Sequence, residues 1–456
     1  MNDTIAAIST AVTEAGIGIV RISGPEAVEI LCRIFHPKKE KDLRSLPSHT
    51  IHYGYIQDRD VMIDEVLVMY MKGPHTYTGE DTVEIDCHGG IYSVRRVLET
   101  ALSHGARIAE PGEFTKRAFL SGRLDLSQAE AVMDVIRAKN EYALESSLQQ
   151  LKGSLREAVT GIRGRLLHQI AYIETALDDP EHYDLTGYPE ELAAIVEEEK
   201  KNLEELLSHS SDGRILQEGI RTVILGKPNA GKSSILNLIL GEDRAIVTDI
   251  AGTTRDVLEE YVNFGGMTLH MVDTAGIRDT DDKVERIGVE RARHMAEKAD
   301  LILYVVDSST SLDENDLEIM ELLQNRNAIV LYNKTDLSPS VTPEEIANKT
   351  DKPILSISAR EKTGMDELIG MIREMFFSGD LSFNDQVYVT NLRHKEALQE
   401  ALASLHMVMD SIRMNMPEDF FSIDLRNACE SLGRISGETV GEDLVNEIFS
   451  RFCVGK

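Results

Sequence analysis

The chain has 456 residues, and its 78 Asp and Glu against 48 Lys and Arg set a formal net charge of −30. That balance excludes nonspecific attachment to nucleic acid by general neutralisation of phosphates, so RNA would have to meet a local basic patch or be held by a partner. The length suits about three domains; no apolar run is long enough to span a bilayer, Met1-Asn2-Asp3 lacks the basic start of a secretory signal, and Cys32, Cys87, Cys429 and Cys453 show no metal-ligand spacing, which together predict a reducing, cytoplasmic setting.

Residues 1–122 mix short apolar strands, at Ile19 to Ile22, Val66 to Met71 and Thr82 to Ile85, with a helical stretch near Val94 to Leu102, which predicts an α+β domain. The pattern then turns helical, with Ser127-Gln128-Ala129-Glu130 read as a capping box and interruptions near Pro180 and Pro189. Helical patterning resumes from about Leu392 to the C-terminus. The simplest organisation is an α-helical bundle made from 123–215 and 380–456, with an α/β domain, 216–379, inserted into it; two separate bundles are the alternative.

The inserted segment carries the chemistry. Gly226-Lys227-Pro228-Asn229-Ala230-Gly231-Lys232-Ser233 joins an apolar strand, Thr222 to Leu225, to a helical pattern, Ser233 to Leu240. Gly226 and Gly231 let backbone N–H groups close around phosphates at a helix N-terminus, where partial positive charge favours an anion. Lys232 is placed to reach the β- and γ-phosphates and the Ser233 hydroxyl to ligate Mg²⁺, with Asn229, Ala230, Gly231 and Ser234 completing the phosphate contacts. Without its context the pattern would be a glycine turn.

Asp273-Thr274-Ala275-Gly276 follows the strand Thr268 to Val272, which puts Asp273 near the Mg²⁺ shell and Gly276 near the γ-phosphate. Asn333-Lys334-Thr335-Asp336 follows the strand Ala328 to Tyr332, and Ser358-Ala359 follows Ile354 to Ile357. The Asp336 carboxylate can accept from guanine N1–H and the 2-amino group, and adenine has neither donor, so the base is expected to be guanine with Ser358 and Ala359 near its O6. Between these lies Gly252-Thr253-Thr254-Arg255-Asp256, a switch segment in which Thr254 completes the Mg²⁺ shell in the triphosphate state. Where Ras-like proteins carry a water-orienting Gln after Asp-x-x-Gly, this chain has Ile277, which cannot do so. Glu285 is the acidic candidate for positioning the water, against the alternative of a solvated helix face. These parts, in this order, predict a Ras-like α/β P-loop GTPase domain.

Further motifs lie outside that domain: Gly18-Ile19-Val20-Arg21-Ile22-Ser23-Gly24, Tyr77-Thr78-Gly79-Glu80-Asp81, His88-Gly89-Gly90, Pro111-Gly112-Glu113-Phe114 and the tail Phe452-Cys453-Val454-Gly455-Lys456. With them the chain resembles, over essentially its whole length, the MnmE (TrmE) family of tRNA modification GTPases. The nucleotide motifs are shared with many proteins; the N-terminal motifs and the Cys-Val-Gly-Lys ending are specific to that family.

The resemblance implies a multidomain protein: an N-terminal α+β domain that binds 5-formyl- or methylene-tetrahydrofolate and drives homodimerisation, a helical domain, and an inserted GTPase domain. It implies a heterotetramer with the FAD-containing partner MnmG (GidA), which also holds most of the tRNA, and installation of a carboxymethylaminomethyl or aminomethyl group on C5 of the wobble uridine of certain tRNAs. Arg21, Glu84, Arg123 and Lys456 occupy the folate-contacting positions. A carboxylate suits the pterin's guanidine-like edge and cations suit the glutamate tail; without the resemblance, ordinary surface ion pairs would be the preferred reading. Cys453 is the family's candidate reactive thiol, with Lys456 nearby to lower its pKa, against a small buried hydrophobe. In place of an arginine finger the family uses K⁺, whose matching ligand positions are Asn229, Thr248, Ile250 and Thr253; Thr248 and Thr253 thereby join the GTP site. Asn229 also suits a turn.

Two other functions are the alternatives, and only the first fits all the nucleotide motifs. A ribosome-assembly or signalling GTPase acting only as a conformational switch would not require the N-terminal domain or the Cys-Val-Gly-Lys tail. An ATP-using enzyme is disfavoured by Asn333-Lys334-Thr335-Asp336.

Overall fold

The computed structural model of the protein describes residues 3–39, 42–183, 185–208, 213, 215, 218–241, 260–272, 293–377 and 389–456. The chain opens with β1 (Ile5–Ile8), β2 (Ile17–Ser23), α1 (Ala27–Ile34), β3 (Phe35–Pro37), β4 (Thr50–Asp58), β5 (Val61–Met71), β6 (Thr82–His88), α2 (Ile91–Ser103), β7 (Arg107–Ile108) and α3 (Glu113–Leu120). The strands form a seven-stranded sheet in the order β3-β4-β5-β6-β2-β1-β7, antiparallel throughout except for the β1–β7 pair.

Period-two alternation sends Val20 and Ile22 of β2, Val66 and Val68 of β5, and Val83 and Ile85 of β6 into a core shared with Ile30, Leu31 and Ile34 of α1 and Val97 and Ala101 of α2. The intervening residues Arg21, Glu84 and Asp86 are only partly buried, on the other face of the sheet. Ile17, Ile51, Tyr53 and Leu67 are exposed on that face.

Helices α4 (Leu126–Arg137), α5 (Glu141–Lys152), α6 (Ser154–Asp178) and α7 (Tyr188–Ser208) follow. The expected capping box at Ser127 is corrected by two residues: Asp125 Oδ1 accepts from Gln128 N at 2.8 Å, and Gln128 Oε1 accepts from Asp125 N at 3.1 Å. Asp-x-x-Gln is the reciprocal pair, and Ser127 sits inside the helix, fully buried, donating to Asp125 Oδ1 at 2.8 Å. The second Pro signal marks a helix start, since Pro189 is the second residue of α7, where its missing N–H costs nothing.

The nucleotide segment contains β8 (Ile220–Gly226), α8 (Lys232–Gly241), β9 (Glu260–Phe264), β10 (Met267–Met271), β11 (Leu301–Asp307), α9 (Glu314–Leu322), β12 (Ala328–Asn333), α10 (Pro343–Ala347), β13 (Ile354–Ser356) and α11 (Met365–Phe376). Its six-stranded sheet has the order β13-β12-β11-β8-β10-β9, parallel except for the β9–β10 hairpin. β11 and β12 are buried at every residue, as strands covered on both faces must be. The chain ends in α12 (Leu392–Arg413), α13 (Glu418–Ser436) and α14 (Glu442–Ser450).

Two compact units result: Met1–Met133, Gln150–Val196 and Ala403–Lys456 form one, and Asp134–Gln149 with Glu197–Leu402 the other. Within the first, Arg163 of α6 donates to the Cys429 carbonyl of α13 at 3.2 Å, so helical segments from before and after the nucleotide segment pack together. Among the described residues no helix is long and apolar enough to cross a membrane.

Candidate functional site

In the second unit, β8 delivers the chain into the phosphate loop and α8 leads it out at Lys232. Asn229 and Gly231 take left-handed backbone conformations, φ 62° and 104°. Gly231 is required twice, because a Cβ there would also fall 2.2 Å from Asn333 Nδ2. Lys232 Nζ donates to the carbonyls of Gly226 at 2.8 Å and Lys227 at 2.6 Å, and burial pushes its pKa below the usual lysine range. Ser233 and Ser234 lie beside it in the first turn of α8, while the Asn229 side chain is exposed.

Parallel strands β8 and β12 both end at this edge of the sheet, which brings together residues about a hundred positions apart. Asn333, 1% exposed, donates from Nδ2 to the Ala230 carbonyl at 2.9 Å and accepts on Oδ1 from Ala359 N at 3.1 Å. One side chain thus ties the phosphate loop to the segment after β13. Asp336 is held by Ser358 Oγ at 2.8 Å, and Arg360 lies 3.8 Å from its other oxygen. The Lys334 ammonium pairs with Asp307 at 2.5 Å. Although burial opposes ionisation of Asp307, hydrogen bonds from Lys334 and Ser309 hold its carboxyl below the usual range.

Asn229, Ala230, Gly231, Lys232, Ser233, Ser234, Asn333, Lys334, Asp336, Ser358 and Ala359 therefore collect around one sheet edge. Thr248, Ile250, Thr253, Thr254, Asp273, Thr274, Ala275, Gly276 and Glu285 lie outside the described residues. Asp307 and Arg360 were missed in the sequence; an Asp closing the buried strand β11 at the same edge was the available signal for the first.

A second constellation occupies the first unit, on the sheet face away from α1 and α2. Arg21 and Glu84 are cross-strand partners, and Arg21 Nε donates to Glu84 Oε1 at 2.7 Å. The Arg21 guanidinium lies 5.4 Å from the Tyr77 ring centroid and 5.5 Å from that of Phe114, and Arg123 lies 5.0 Å from Tyr77. The tail folds back onto this group: Gly112 N donates to the Cys453 carbonyl at 3.3 Å and Phe114 N to the Lys456 carbonyl at 3.2 Å. Gly455 permits the turn, at φ 92°, where a Cβ would lie 2.2 Å from the Ile8 carbonyl oxygen.

Burial, and then the nearby Arg21 charge, push the Lys456 pKa below its ordinary value, with Glu84 and Cys453 opposing. The Cys453 side chain is exposed, contrary to the small-buried-hydrophobe alternative. Asp86 Oδ1 is buried and makes no hydrogen bond among the described residues; burial and then Glu84 raise the Asp86 carboxyl above the usual range. The group thus gathers three cations, two carboxylates and two aromatic rings, with one carboxylate oxygen unpartnered among the described residues, a set able to meet polar and anionic groups of a ligand. Tyr77 and Phe114 were not singled out as site residues from sequence, since their ring positions depend on strand and helix packing.

Two family models match: the GTP-binding protein TrmE N-terminus over residues 4–123 and the MnmE helical domain over residues 126–453. The chain is similar over its whole length to proteins named tRNA modification GTPase MnmE. It is 57% identical to that of Lachnoclostridium phytofermentans, with 100% of this chain and 99% of the relative covered. It is 50% identical to that of Bacillus pumilus and 48% to that of Bacillus subtilis, each with 100% of both chains covered. With the nucleotide site and the folded-back tail on the same chain, these matches show that the protein belongs to the MnmE (TrmE) family of tRNA modification GTPases.

Proposed function

We propose that this GTPase works in tRNA modification as a K⁺-stimulated enzyme that, with an FAD-containing partner of the MnmG type, adds a carboxymethylaminomethyl or aminomethyl group to C5 of the wobble uridine. The observation that carries this reading is one chain holding both constellations: a guanine-nucleotide site and the Arg21, Glu84, Arg123, Lys456 group against which the tail is folded. A protein that only switched would have no use for the second.

In the nucleotide site, backbone N–H groups of the loop and the Lys232 ammonium receive the phosphates, and Asp336, held in place by Ser358, accepts from guanine N1–H and its 2-amino group. Mg²⁺ bound by Ser233 and Thr254 would neutralise charge on the β- and γ-phosphates. K⁺, with Asn229, Thr248, Ile250 and Thr253 as ligands, would supply positive charge where other GTPases use an arginine. Glu285 is the residue we assign to orienting the attacking water. A tetrahydrofolate at Arg21, Glu84, Arg123 and Lys456 would bring the one-carbon unit.

This reading keeps the division into 1–122, 123–215, 216–379 and 380–456, with a homodimer built on the N-terminal domain. The exposed apolar residues Ile17, Ile51, Tyr53 and Leu67 on its open sheet face support that assembly. The acidic chain suits a complex in which the partner holds most of the tRNA, in the cytoplasm. Cys453, exposed on the tail, is the residue we take as the candidate reactive thiol.

Mass spectrometry of tRNA nucleosides from cells lacking the protein tests the function. Loss of the modified wobble uridine supports it, and an unchanged nucleoside profile returns the protein to the class of simple switches.

A further inference from the structure

Lys227 follows Gly226 in the phosphate loop, and its ammonium is 2.6 Å from Asp316 Oδ2 and 3.0 Å from Asp313 Oδ2. An exposed pair of this kind contributes little, but the Asp316 side chain is only 1% exposed. Asp316 is the third residue of α9, where its Oδ2 also accepts from Asp313 N at 3.0 Å in a capping box. Its Oδ1 accepts from Tyr304 Oη at 2.7 Å, and the Tyr304 ring is fully buried on β11 beside Leu225 of β8.

Asp316 thus has three donors, one of which is Lys227. Removing that partner would leave a buried carboxylate short of charge compensation, so the satisfaction of Asp316 is tied to the position of Lys227. Lys227 in turn presents its carbonyl to Lys232 Nζ at 2.6 Å and to Ala230 N at 3.3 Å. The run of contacts goes from β11 through α9 to the lysine that meets the phosphates.

We propose that Tyr304, Asp316 and Lys227 are positioning residues that hold the phosphate loop in its nucleotide-binding shape before nucleotide arrives. The inference rests on the GTPase reading and names what preorganises that same site: ordering cost met within the folded protein is not charged against GDP or GTP binding.

Titration of the full-length protein with fluorescently labelled GDP, beside melting of the nucleotide-free protein, tests this. Asp316→Asn and Lys227→Met each weaken GDP binding about tenfold, while Lys227→Arg, which keeps the ion pair, stays within about threefold of wild type. The double variant Lys227→Met/Asp316→Asn leaves no lone buried charge, so it melts near wild type yet binds GDP about tenfold more weakly, no worse than either single change. Should the single variants fail to fold, the double variant and Tyr304→Phe, expected to lose about twofold to threefold, carry the test. GDP affinity equal to wild type in the folded double variant overturns the proposal, as does a lowered melting temperature with unchanged affinity. Failure of wild type itself to bind GDP would instead strike the nucleotide reading.

Discussion

Asn333 and Gly231 are fitted to each other: the Asn333 amide donates to the carbonyl of Ala230 at 2.9 Å, and any Cβ on Gly231 would lie 2.2 Å from its nitrogen. The segment that begins at Asn333 and the phosphate loop therefore share one joint. Gly231→Ala should displace Asn333 and add about 1–2 kcal/mol of backbone strain at φ 104°. GDP affinity should fall at least about tenfold, measured by calorimetry. Wild-type affinity in the alanine variant would show that the joint yields without consequence.

Asp336 is the residue expected to read guanine, with Ser358 Oγ at 2.8 Å fixing one oxygen. Asp336→Asn replaces one acceptor by a donor, so GDP affinity should drop at least about tenfold while xanthosine diphosphate, with a carbonyl in place of the 2-amino group, gains relative to it. Competition binding of the two nucleotides decides the matter. An unchanged preference for GDP removes Asp336 from the base site.

Arg21 spans Glu84, Tyr77 and Phe114 at the group closed by the tail. Arg21→Ala should weaken 5-formyltetrahydrofolate binding about tenfold and leave GDP binding as it was. If calorimetry finds the folate affinity unaffected, the assignment of this face to folate fails.

His88 and Asp64 form a pH-dependent pair on the N-terminal sheet, Nδ1 to Oδ1 at 2.7 Å. The hydrogen bond and charge of Asp64 raise the His88 pKa above 6.5. Asp64 shifts the opposite way: burial opposes its ionisation, but hydrogen bonds from Ser93 and His88 outweigh it. The His88 contribution is therefore fully present below pH 6.5 and is lost as pH rises through its raised folded value, whereas the Asp64 contribution is present above pH 3.8 and is lost as pH falls through its lowered folded value. Proton NMR should show His88 titrating above 6.5, and Asp64→Asn should bring it back; titration at the ordinary value in wild type refutes the pairing.

The proposed stimulation by K⁺ is checked by steady-state GTP hydrolysis in matched KCl and NaCl. Faster turnover in K⁺ is expected, and Asn229→Ala should abolish the difference through loss of an amide ligand. Equal rates of wild type in the two salts would rule out the assigned ion.

The strands and the helix that border the motifs of the nucleotide domain were legible because each rule acts locally. Thr222 to Leu225 reads as a buried strand, and β8 covers it at Ile220–Gly226; Ala328 to Tyr332 reads likewise, and β12 ends one residue later at Asn333. The α4 start was misread by two residues because Ser127 and Asp125 are both good caps. Burial of Ser127 and the reciprocal bonds of Asp125 with Gln128 decided between them.

Composition, motif order and residue chemistry along the chain were enough to identify a guanine-nucleotide protein and the family it resembles. A strand, a glycine loop and an acceptor such as Asp336 declare their chemistry within a few residues. What waited for the tertiary structure was the direct contacts between distant residues: Arg21 on Glu84, the tail at Phe114, and Lys227 and Tyr304 on Asp316. Those relations depend on sheet register, on strand order and on which carboxylate is buried. None of these is a property of a short stretch of chain, because each arises only when separate segments exclude water together.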